Sequence, residues 1–364
     1  MPIYDLATEL LLHIFRSCDS IFDILNLSFS CRRLHHVFNS ASKLDILATV
    51  AERQFGPLDD AIQVVTQNES QPAHIIRHAP MSDALLQQII QLGLVARKWE
   101  TIYPFKKWKI DFENRRSLTD EERWRLRRAV YRLWWYHSAF HSCAYDRHSR
   151  RLRHVVLERA RLLHNWSTQE LAEIEDLRLV IRDILQNHIC PSNATIQRKF
   201  RKRFPDSNQQ PVFNIHLHDS RSSTTSPLSP PDRSFFEKGP GAPIQQWFHT
   251  AHPGNYAESS AKYRSRFRND LSHDPGYEGW GDEIPHYYIV QDMLKLDPGQ
   301  ILWLRDHALL KEQVEEYVCS LGEWFRDNGE TFGDTMEYVM NERGLDILEI
   351  RSVIADHGMG IILD

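Results

Sequence analysis

The chain has 364 residues, is 41% hydrophobic and 26% charged, and carries a formal net charge of −5, which is length enough for one large core or two to three smaller ones. No apolar run approaches the roughly 18 residues of a membrane span, and charges interrupt the first leucines, so no membrane helix and no signal peptide are expected. The five cysteines (Cys18, Cys31, Cys143, Cys190, Cys319) form no CxxC pair, the pattern of reduced thiols in a cytoplasmic or nuclear protein rather than of a disulfide framework or zinc module. Residues 1–269 hold 38 basic and 28 acidic side chains, a balance of +10, whereas 270–364 hold 6 and 21, a balance of −15. The expectation is that the acidic portion docks on the chain's own basic portion, since a tethered partner is always at high effective concentration.

In chain order, the first pattern is "LATELLLHIFRSCDSIFDILNLSFSCRRLHHV", residues 6–37. Leu6, Leu10 and Ile14 fall at i, i+4 and i+8, with Leu11, Phe15 and Cys18 as a second stripe beside them. Ser20 and Asp23 predict a capping box for a second helix, in which Ile24, Leu27 and Cys31 share a face while Leu25 and Phe29 lie on others. A third helix begins near Arg32, with Leu34, Val37 and Phe38 apolar. Three short helices cannot bury this much apolar surface among themselves, so the surplus goes against the rest of the chain or another protein.

The order L-A-x-E-L-L-x-x-I-F, about eight residues, then D-I-L-x-L-S-x-S-C-R-R-L resembles the F-box, a three-helix motif usually written L-P-x-E-[LI]-L-x-x-[IL] followed by D-L-x-x-L-x-x-V-C-[KR]-x-[LW]. The resemblance covers about the first 40 residues. It implies docking on the Skp-type adaptor of an SCF ubiquitin ligase, and through it on a cullin, with the remaining chain recruiting an unknown protein substrate. Matched residue by residue, the implied adaptor-facing positions are Leu6, Ala7, Glu9, Leu10, Ile14, Asp23, Leu27, Cys31 and Leu34. Ala7 stands where the family usually has proline, and Ser30 where valine is common.

Beyond residue 45 the chain reads as mainly α, an irregular all-α helical body. Ser82 caps a helix carrying Leu85, Ile89, Leu92 and Ala96 and ending near Trp99. Thr119 and Glu122 form a capping box ahead of "RWRLRRAVYRLWWYHSAF". Helices are also expected at about 151–164 and at 168–187, the latter capped by Ser167 and Glu170. "DSRSSTTSPLSPPDRSFFEKGPGAP", 219–243, reads as a flexible Ser/Pro-rich loop. Helical patterns return at 286–296, about 299–326 and 334–343, with Pro298 entering one helix and Gly344 ending another. The division is therefore an F-box at 1–45, an Arg-rich helical domain at 46–215, a loop at 216–244 and an acidic region at 245–364 packing on the preceding domain. "ERWRLRRAVYRLWWY" and "KLDPGQILWL" are similar to segments of helical proteins of filamentous fungi that often carry an N-terminal F-box. No chemistry comes with that likeness.

No phosphate-binding glycine loop, nucleophile elbow or Cys/His nucleophile signature occurs, so no catalytic residue and no cofactor is expected. His137, His141 and Cys143 are spaced H-x3-H-x-C, but His137 continues an apolar stripe, and core histidines are favoured over a metal site. His216, His218 and Asp219, His249 and His252, and the acids Glu278, Asp282 and Glu283 read as solvated loop residues. The arginines of 123–161 and the cluster "RKFRKR", 198–203, would suit a polyanion if they shared one face. Core-like spacing of the nearby aromatics places solvated or internally paired arginines ahead of nucleic-acid binding. The 198–203 cluster is also compatible with a nuclear localisation signal, and Ser226 and Ser229, each before proline, with phosphorylation.

Overall fold

In a computed structural model the described residues are 3–145, 149–209 and 283–363, and among them every regular element is helical. The helices are α1 (Thr8–Arg16), α2 (Ile21–Ser30), α3 (Arg32–Phe38), α4 (Lys43–Phe55), α5 (Leu58–Thr66), α6 (Asp83–Lys107), α7 (Asp120–Phe140), α8 (Arg153–His164), α9 (Thr168–Ile184) and α10 (Asn193–Arg203). After the gap in the described residues come α11 (Glu283–Met293), α12 (Pro298–His307), α13 (Lys311–Ser320), α14 (Glu323–Asp327), α15 (Phe332–Glu342) and α16 (Ile347–Ala355). The protein is thus mainly α. The Ser/Pro-rich stretch lies outside the described residues.

Local chemistry sets most helix starts. Ser82 accepts from the Leu85 amide, and Thr119/Glu122 and Ser167/Glu170 make complete capping boxes at α7 and α9. Asp297 caps α12 with Pro298 in its first turn, where a missing amide hydrogen costs nothing. Gly344, at φ +72°, ends α15 in the left-handed conformation a C-terminal turn needs. Other boundaries differ from the pattern. α6 runs on through Pro104 to Lys107 instead of ending near Trp99, because Trp99, Ile102 and Tyr103 keep burying a core face. The helix expected over 299–326 is three pieces, interrupted at residues 308–310 and at Gly322 (φ +80°).

Helix α7 is the spine, packing against α5, α6 and α9. Tyr131, Trp135, Tyr136 and Phe140 from α7 meet Trp99 and Tyr103 from α6 in the interior, all fully buried. The C-terminal helices close over this frame, α15 on α8, α16 on α9, and α12 on α6 and α7. One continuous apolar core runs from Leu11 to Ile362. It passes through residue 45 without a break, since Phe15, Ile24, Leu34 and Phe38 join Ile46, Leu47 and Val50.

Ion pairs among the described residues run both within and between the parts of the chain, with Lys98–Asp306 and His164–Glu342 joining C-terminal acids to the earlier helices. The α7 arginines pair mainly within the first two-thirds of the chain: Arg128 with Glu173 at 2.6 Å, Arg132 with Asp60 at 2.9 Å and Glu170 at 2.8 Å, and Arg127 with Glu100 at 3.5 Å. Arg178–Glu330 at 3.3 Å crosses to the C-terminal helices, and Arg351–Glu175 at 2.9 Å crosses in the opposite sense.

Candidate functional site

The first three helices carry the candidate partner-facing positions, and their two faces differ. On α1, Leu11 and Phe15 are fully buried while Leu6 and Ile14 are half-buried. Leu10 is 52% exposed, and Ala7 and Glu9 lie open beside it. Ala7 is the N-cap with φ −61° and ψ 150°, the φ that a proline ring fixes.

On α2 the Ser20 hydroxyl accepts from the Asp23 amide at 3.1 Å and donates to the Asp23 carboxylate at 2.6 Å. The expected box is half formed, because Asp23 turns to the hydroxyl instead of reaching back to the Ser20 amide. Asp23 is exposed, Leu27 and Cys31 are half-buried and Ile24 is fully buried. Phe22 (70% exposed), Leu25 (37%) and Phe29 (72%) follow i, i+3, i+7 on the outer side, and the Phe29 ring stacks on His35 of α3 at 6.0 Å. Sequence reasoning placed Leu25 and Phe29 off the core face but did not join them with Phe22 into a stripe. The signal was their helical spacing on the side opposite Ile24.

Helix α3 corrects one assignment. Leu34 is 2% exposed and packs in the core with Val37 and Phe38, so its side chain is not offered to a partner. Ser30 is exposed and its hydroxyl donates to the Leu27 carbonyl at 2.7 Å, so no buried methyl pair is missing there. Backbone-directed arginines lock the motif to its surroundings. Arg33 donates to the Leu6 carbonyl at 2.7 Å, and Arg53 of α4 donates to the carbonyls of Cys18 at 2.9 Å and Arg16 at 3.1 Å.

The chain matches no family model, no curated protein and no solved structure.

The other candidates are structural where they are described. His137 and His141 are buried, with ring centroids 4.7 Å apart, and Cys143 is exposed. Among the described residues no group of three His, Cys, Asp or Glu could hold a metal. His141 sits between the Lys295 carbonyl (Nδ1, 3.0 Å) and the Thr331 hydroxyl (Nε2, 3.3 Å), partners that suit a neutral ring donating through Nδ1. Burial first pushes both imidazoles down, His137 to about 4; for His141, the neighbouring His137 and Lys295 add to it. Asp176 accepts from the Tyr103 hydroxyl at 2.5 Å, Lys107 at 3.0 Å and the Ile361 amide at 3.1 Å. Its polar capacity is taken up by helix packing. His216, His218, Asp219, His249, His252, Ser226, Ser229, Glu278 and Asp282, and the side chain of Glu283, lie outside the described residues.

Proposed function

We propose that the protein is a binding subunit, an F-box-type substrate receptor. In this reading α1–α3 dock on a Skp-type adaptor of an SCF ubiquitin ligase, and the helical body recruits a protein client. Ubiquitin transfer would be carried out by other subunits, so this chain would supply recognition and no catalytic group. One observation carries the reading: an F-box-like triplet of helices, anchored by one face in the core, leaves Leu10, Phe22, Leu25 and Phe29 uncovered on the other. Large apolar side chains held in a row on rigid helices are what a helix-to-helix interface uses.

Purified Skp-type adaptor is expected to associate with the intact protein. Burying one such side chain is worth roughly 1.5–3 kcal/mol, so Phe22→Asp with Phe29→Asp should weaken association at least about tenfold. Leu10→Asp with Ile14→Asp should do the same. Phe22 and Phe29 are mostly exposed, so that pair of changes leaves the melting temperature nearly unchanged. No association of the intact protein, or undiminished association of the folded Phe22/Phe29 variant, overturns the proposal. A nucleic-acid role outside a ligase, which drew on the Arg-rich helix, loses that support because the α7 arginines face carboxylates.

A further inference from the structure

A cluster of exposed cations sits on α10. Arg198, Lys199, Arg201, Lys202 and Arg203 are all exposed, and among the described residues none of them faces a carboxylate in an ion pair. At 100° per residue, Arg198, Lys199, Lys202 and Arg203 fall within an arc of about 140°. Ile196 and Phe200, half-buried, lie outside that arc. The contrast with α7 is direct: there Arg127, Arg128 and Arg132 stand beside carboxylates, whereas here, among the described residues, the contacts are a Lys199 hydrogen bond to the Asn187 carbonyl at 3.0 Å and Arg203 over the Phe204 ring.

A cavity with a mixed lining, more polar than apolar, adjoins the same helix. Its volume is about 270 Å³, and Ile189, Pro191, Ile196, Ala308 and Val314 form part of its lining. Leu309 and Leu310 stand at its edge, 81% and 60% exposed. Lys199 and His188 form the polar rim. The wall carrying Asn187, His188 and Ile189 is a single π-helical turn, Leu185–Ile189, at the end of α9, a local widening that often accompanies functional sites. Burial, then the nearby Lys106, Lys199 and Arg305, holds the His188 imidazole below its usual range, so the surroundings are cationic beyond α10 itself.

Small-molecule sites start at roughly 300 Å³, so this cavity suits one or two side chains. Its lining holds no Phe, Tyr or Trp ring on which a base could stack, which separates it from single-strand nucleic-acid sites built on such platforms. We infer that α10, the π turn and residues 308–310 form a docking surface for an acidic peptide segment whose large aliphatic side chains pack on the exposed Leu309 and Leu310 beside the cavity while its carboxylates face Arg198, Lys199, Lys202 and Arg203. As the client-recognition face of a receptor this rests on the proposed function, but peptide binding itself does not need the adaptor.

The test is fluorescence anisotropy of the full chain with a labelled peptide of Asp and Glu residues around two central leucines. Saturable binding is expected, weakened at least about tenfold by Arg198→Glu with Lys202→Glu. A similar loss is expected for Leu309→Asp with Leu310→Asp, and for a peptide with serines in place of the leucines. Arg153→Glu with Arg161→Glu, an equal charge change at exposed positions of α8, should leave binding unchanged, and so should Phe22→Asp with Phe29→Asp. Retained peptide binding by that last variant separates this surface from the adaptor face. No saturable binding, equal binding of the serine peptide, equal binding by the α10 variant, or tighter binding of single-stranded polyuridine than of the leucine peptide overturns the inference.

Discussion

His137 and His141 lie side by side in a core that also holds Lys295, whose ammonium is buried against the carbonyls of Phe325 and Asn328 and over the Phe325 ring. A second positive charge beside it is costly, so the imidazoles stay neutral when folded. His137 titrates at about 4 in the folded protein against 6.5 when exposed. The unfolded chain therefore binds more protons between those two values, and stability contributed by neutral His137 is complete above pH 6.5 and lost as pH falls toward 4. The loss is on the order of 3 kcal/mol. Asp297 opposes it: burial raises its carboxyl to about 6, so its contribution is present at low pH and is lost as pH rises through 6. Urea midpoints measured from pH 7.5 to 4.5 should fall for the native protein, and His137→Gln should flatten the fall. An equal slope in both proteins would assign the acid sensitivity elsewhere.

Helix α6 shows two scales of argument in conflict. Gly93 lies in its interior, where alanine is favoured by about 1 kcal/mol on propensity alone. A methyl at Gly93 would overlap the Phe55 ring of α4, and α4 and α6 pack closely. Overpacking of this kind costs typically 1–3 kcal/mol, so Gly93→Ala is expected to destabilise by roughly 1 kcal/mol net, read as a lower melting temperature. A higher one would show that propensity prevails. Capped starts such as those of α6, α7, α9 and α12 were legible in the sequence, because the signal lies within three or four residues. The extension of α6 past Trp99 was not, since only its contact with distant helices rewards it. α4 and α5 start without a side-chain N-cap, whereas α10 and α16 carry Ser192 and Asp346 as caps that the reading of the sequence passed over.

At the scale of the molecule, the F-box-like helices share their core with the body. Leu11, Phe15, Leu34 and Phe38 cover Ile46, Leu47 and Val50, and α1 and α2 both pack on α4. Removing residues 1–42 should therefore uncover the α4 face. The shortened chain is expected to melt lower and to bind a hydrophobic dye, and unfolding of the full chain should be cooperative when followed separately at the motif and at the body. A truncated protein as stable as the full one would mean that the two are independent units.

The sequence by itself determined the helical class, the caps, the core character of the His137 stripe and the order of motif residues, because each depends on neighbours a few positions apart. Only the tertiary structure decided which arginines remain available, since charge pairing joins residues such as Arg132 and Asp60 across more than 70 positions. It also decided that Leu34 faces inward while Phe22 and Phe29 face outward. Periodicity defines the faces of a helix, but which face is covered depends on the elements that long-range packing brings against it.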